Sequence, residues 1–93
     1  MLETAPDDVF LNFAFGVELA KEGRLQEALD RFDRTAILDP AYTTAYFQKA
    51  NTLIAAGRAE DAKVALDRGI AAATKHGDLH AAEEMRAALD ALG

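Results

Sequence analysis

His76 and His80 stand four residues apart, and Glu83 and Glu84 follow closely. On one continuous helix, that histidine spacing would face two imidazoles together and suit a divalent metal. Gly77-Asp78 falls between them, however, and a helix is expected to break there. The two histidines therefore read as solvated side chains at a junction, and no metal site is assigned. The chain has no cysteine, which excludes disulfides, thiolate chemistry and cysteine-held zinc. It has no serine either, so a serine nucleophile is absent. Gly16, Gly23, Gly57, Gly69 and Gly77 build no phosphate-cradling loop, and no Gly-Lys-Ser or Gly-Lys-Thr run exists. The many carboxylates fall on faces expected to be wet. They read as solubility and helix-end electrostatics. No catalytic residue, cofactor or metal follows from these 93 residues, and the chain is read as a non-enzyme.

The same glycines divide the chain. Gly23, Gly57 and Gly77 each follow a helix-like run, where a left-handed C-terminal cap is expected. Asp39-Pro40 makes a further break, because the residue before proline avoids the helical region. Five helical segments result, near residues 8–22, 25–38, 42–56, 59–76 and 79–92. Asp7 or Asp8 is placed to cap the first, and Asp78 the last. No run alternates with period two, so no strand is expected. Alanine occurs 21 times, which favours helices and their close approach. The fold class is all-α, and the length fits one domain with a modest core. With a net charge of −6 and sparse basic residues, neither nucleic acid nor anionic lipid suits the surface. No run is long and apolar enough to span a bilayer. The first residues lack the basic start of a secretory signal, so a cytoplasmic location is expected.

Shifting the chain by 34 residues aligns it with itself. Phe13 meets Phe47 and Leu19 meets Leu53. Gly23-Arg24 meets Gly57-Arg58, Ala28 meets Ala62, and Asp33-Arg34 meets Asp67-Arg68. The matches fall on turn glycines, small residues and large apolar residues. This pattern resembles the tetratricopeptide repeat family, whose helix hairpins recur every ~34 residues. In the first repeat, Gly16, Leu19, Gly23, Ala28 and Phe32 stand at the family's marked positions, and Leu38-Asp39-Pro40 matches its closing motif. In the second, Tyr46, Ala50, Leu53, Gly57, Ala62 and Leu66 do so. Asn12 departs from the pattern where a large aromatic is usual, and Lys49 where a leucine is usual. Thr35 and Gly69 replace a small alanine, and Thr74 replaces the closing proline.

The resemblance implies an α–α superhelix of two hairpins with a closing helix. Residues 1–7 would form a leader, and residues 8–93 a single domain. Within it lie repeat one at 9–42, repeat two at 43–76 and a capping helix at 79–92. The expected core is Leu19, Ala28, Phe32, Ala50, Leu53, Ala62, Leu66, Ile70 and either Met85 or Leu89. Two hairpins lie at the lower edge of what such stacking needs.

The resemblance also implies a function, that of a protein-interaction adaptor or scaffold. The first helix of each hairpin would line a concave groove, with Phe10, Phe13, Val17 and Lys21 from repeat one. Repeat two would add Thr44, Phe47, Gln48, Asn51 and Ile54. The first helix is apolar nearly all round, and such a helix is normally covered on both sides. The cover is a segment of a partner protein, another segment of this chain, or a second copy of it. Where a second copy or a neighbouring repeat covers it, the unit is a homodimer or a docking piece of a longer array. Some members of the family grip a C-terminal carboxylate, but Phe13 and Val17 stand where that clamp needs Lys and Asn. A chaperone-tail clamp is accordingly disfavoured.

Overall fold

The computed structural model describes residues 8–93. The leader expected at residues 1–7 lies outside the described residues. Five helices follow one another: α1 (Val9–Lys21), α2 (Leu25–Leu38), α3 (Thr44–Ala55), α4 (Ala59–Lys75) and α5 (Leu79–Leu92). No strand occurs among the described residues. Each helix packs on the next, and α1 also touches α3. The described residues form a slab 39 × 30 × 15 Å, in which α1, α3 and α5 alternate with α2 and α4.

Three of the turns share one solution. Gly23, Gly57 and Gly77 have φ of 77°, 77° and 76°, a left-handed conformation that costs glycine nothing. Beyond each, the next N–H donates back to the carbonyl five residues earlier: Arg24 to Leu19 at 3.0 Å, Arg58 to Leu53 at 2.9 Å, and Asp78 to Ala73 at 2.8 Å. That 6→1 bond satisfies carbonyls the helix end would leave open. The first two turns also share a starting clasp, Arg24 on Glu27 at 2.7 Å and Arg58 on Asp61 at 2.6 Å. The repeat is thus visible in geometry as well as in letters.

Asp8 caps α1, its carboxylate accepting from the Leu11 N–H at 2.8 Å. Asp78 caps α5, accepting from the Ala81 N–H at 3.2 Å, and it also accepts from the Thr43 hydroxyl at 3.2 Å. One carboxylate therefore starts α5 and ties it to the head of α3. Replacing it (Asp78→Ala) is expected to cost about 1–2 kcal/mol. Urea unfolding of both chains measures this, and an unchanged midpoint would show the cap to be idle.

The core runs through Ala28, Leu29, Phe32, Ala45, Ala50, Leu53, Ala62, Leu66, Ile70 and Met85. Of the expected core, Leu19 departs, because it is only half-buried. It sits on α1, the outermost described helix, with neighbours on one side. Met85 rather than Leu89 takes the last core place. It does so because Gly69 on α4 leaves room for its thioether. The α2–α3 connection has no glycine, and α3 begins at Thr44 rather than Tyr42. Tyr42 and Thr43 are spent on contacts instead, one through its ring and the other through its hydroxyl.

Candidate functional site

On α3, at about 100° per residue, Thr44, Phe47, Gln48, Asn51 and Ile54 share one face. Thr44, Asn51 and Ile54 are exposed there, and Phe47 and Gln48 are half-buried. Phe47 packs against the core cluster. The Gln48 main-chain carbonyl accepts the Thr52 hydroxyl at 2.8 Å. On α1, Phe10 is 67% exposed. Phe13 and Val17 are half-buried. Lys21 is exposed and lies 3.5 Å from Glu18.

Phe13 is held by ring contacts from within the chain. Its ring meets Tyr42 edge-on at 5.2 Å and Phe32 at 5.8 Å. Such aromatic pairs add roughly 0.5–1.5 kcal/mol beyond burial. Phe13 therefore serves the interior and the surface at once. Phe10 and Ile54 are the apolar members with most area to give to a partner.

The sequence reading missed a polar arrangement under α1. Asn12 is fully buried. Its amide donates to the Asp8 carbonyl at 2.8 Å and its side-chain oxygen accepts from Arg31 Nη1 at 2.9 Å. The Arg31 guanidinium lies 5.4 Å from the centroid of the Phe15 ring. An asparagine thus takes the place of an aromatic by recruiting an arginine from the next helix. The signal was available: 34 residues on, Asn12 corresponds to Tyr46 and Arg31 to Ala65, so both members of the pair change together.

His76 closes α4 and His80 lies in the first turn of α5, on opposite sides of the Gly77 break. His80 lies 3.6 Å from Glu84 in an exposed i, i+4 pair. Among the described residues no helix is long and apolar enough to cross a membrane.

Stacked helix hairpins with a repeated glycine turn and a part-exposed apolar face define a helical-repeat protein. A model of the tetratricopeptide repeat matches residues 19–89. The chain belongs to the tetratricopeptide repeat family. A TPR repeat-containing protein of Pseudomonas aeruginosa, PA0015, is 31% identical over 85 residues, covering 91% of this chain and 81% of that one. The uncharacterized protein MJ0572 of Methanocaldococcus jannaschii is 39% identical over 56 residues, 60% of this chain. That match spans 65% of the archaeal protein's own length. The solution structure of a tetratricopeptide repeat domain protein from Salinibacter ruber superposes with a TM-score of 0.82 at 25% identity, covering 94% of this chain and 88% of that one. Protein BPP2914 of Bordetella parapertussis gives 0.80 at 29% identity, with 99% and 80% covered. Domains of this family are in general protein–protein interaction modules and are typically not enzymes.

Proposed function

We propose that this chain is an adaptor that receives a segment of a partner protein on the face of α1 and α3. The carrying observation is the exposure of Phe10 on α1 and Ile54 on α3, the two helices that also carry half-buried Phe13, Val17 and Phe47. Burying one such side chain fully contributes roughly 1.5–3 kcal/mol. A few anchors therefore support micromolar association after its entropic cost. Lys21, Thr44, Gln48 and Asn51 flank the apolar residues and supply hydrogen bonds that orient a peptide backbone. The Asp78 link between α5 and the head of α3 helps keep the stack rigid.

The test uses Phe10→Asp and Ile54→Asp, which alter the face and leave the Phe13–Phe32–Tyr42 contacts alone. The immobilised chain selects peptides from a display library. Enrichment is expected for the native chain and is lost in the double variant, whose helical circular dichroism stays native. Enrichment that survives both charges would remove this reading. Self-association would use the same Phe10 surface. Light scattering over a concentration series separates the two, since a monomer at high concentration leaves the face to a foreign segment.

A further inference from the structure

A second surface lies on the other side of α3. Helices α2 and α4 flank α3 and leave a groove of two joined hollows, about 340 and 260 Å³. Both hollows are lined by Asp33 of α2, Lys49 of α3 and Ala65 and Arg68 of α4. On α3, Lys49 lies about half a helical turn away from Asn51 and Thr44, so this groove and the face of Phe10 are separate.

Its chemistry is unusual for the chain. Lys49 stands where the family usually has leucine, and its side chain is only 24% exposed. Its ammonium donates to the Asp33 carboxylate at 2.6 Å. Arg68 has no hydrogen-bond or ion-pair partner among the described residues. Lys49 is thus matched by Asp33, and Arg58 at the other end by Asp61, which leaves Arg68 as the cation in excess of the groove's carboxylates, in a chain of net charge −6. Apolar residues flank the cations. Ile37, 71% exposed, lines one hollow, and Val64, 51% exposed, lines the other.

We propose that this groove binds a short acidic segment of a partner protein. Its carboxylate lies between Lys49 and Arg68, and apolar side chains on either side rest on Ile37 and Val64. Charge complementarity selects the acid, because Arg68 has an open fork of donors and Lys49 has further N–H groups. The apolar flanks select a peptide over a bare anion. From Gln26 to Ile37 the groove wall on α2 runs about 16 Å at 1.5 Å per residue. Five extended residues span that length at about 3.3 Å each.

The probe is an acetylated, amidated pentapeptide, Leu-Thr-Glu-Thr-Leu, titrated into the isotope-labelled full chain and followed by amide NMR shifts. Its Leu-Thr-Gln-Thr-Leu counterpart and inorganic phosphate are the controls. The acidic peptide is expected to shift the amides of Ile37, Lys49, Val64 and Arg68. The neutral peptide is expected to bind at least about tenfold more weakly. Arg68→Gln, at an exposed position, should erase that preference, and Asp33→Asn should tighten the acidic peptide by freeing Lys49. Equal affinity for the two peptides, shifts confined to α1 and the Thr44–Asn51 face, or phosphate binding as well as the acidic peptide would each overturn the proposal.

Discussion

Phe32→Ala is expected to lower the folding free energy by about 3–5 kcal/mol, a large share of what a domain of this size possesses. The ring is 1% exposed. It meets Phe13 at 5.8 Å and lies directly over Gly16, where an added Cβ would come 2.6 Å from its Cε1. No neighbouring backbone can fall into the space left behind, because α1 and α2 already approach as closely as glycine allows. The hole would remain, and its cost adds to the lost burial. The same contact gives a second sign. Gly16→Ala gains about 1 kcal/mol of helix propensity but overpacks against a rigid ring, which costs about 1–3 kcal/mol. It should therefore be neutral to destabilising alone, and stabilising in the Phe32→Ala background, where the added methyl meets empty space. Urea unfolding followed at 222 nm reads all four chains. A midpoint for Phe32→Ala within about 0.3 M of the parent would rule out this view of the α1–α2 contact.

The repeat was legible in the sequence because its marks are positions with one physical solution. Gly23 and Gly57 adopt positive φ, and Ala28, Ala50 and Ala62 are fully buried. The contacts between helices were less legible. Asn12 stands out in the sequence only as a polar residue in the place of a large aromatic. Its burial depends on Arg31, 19 residues away, whose donor replaces water. The family resemblance and the apolar surplus of the first helix place Phe13 in the groove. Its edge contact comes from Tyr42 in the α2–α3 connection, and no periodicity places a loop side chain. Lys49 was seen as a departure from the family, but not as one end of a pair. Its partner Asp33 lies 16 residues earlier on another helix, and only the packing of α2 on α3 brings them together. Local rules give the elements and their turns. Polar pairs between elements need the register of one helix on the next.

Met85→Ala should test how α5 is held, and its expected cost is about 2–5 kcal/mol. Met85 is fully buried. Its sulfur lies closer to the place of a Gly69 Cβ than any real side chain would tolerate. The glycine is thus the socket and the thioether the plug. A flexible methionine adapts to such an irregular site better than a branched residue would. Gly69→Ala alone pushes on two atoms. The sulfur can swing away, but the Tyr46 Cβ at 2.8 Å is anchored to the α3 backbone and cannot. A cost of about 1–3 kcal/mol follows, despite the gain in helix propensity. Combining the two changes removes the sulfur contact and puts a methyl into part of the vacated volume, while the Tyr46 contact stays. The double variant should therefore be more stable than the sum of the singles by about 1 kcal/mol or more, yet less stable than the parent. Amide hydrogen exchange adds the location: α5 should lose protection before α1 and α2 in Met85→Ala. Additive energies, or equal loss of protection along all five helices, would mean that α5 is held by its other contacts and not by this plug.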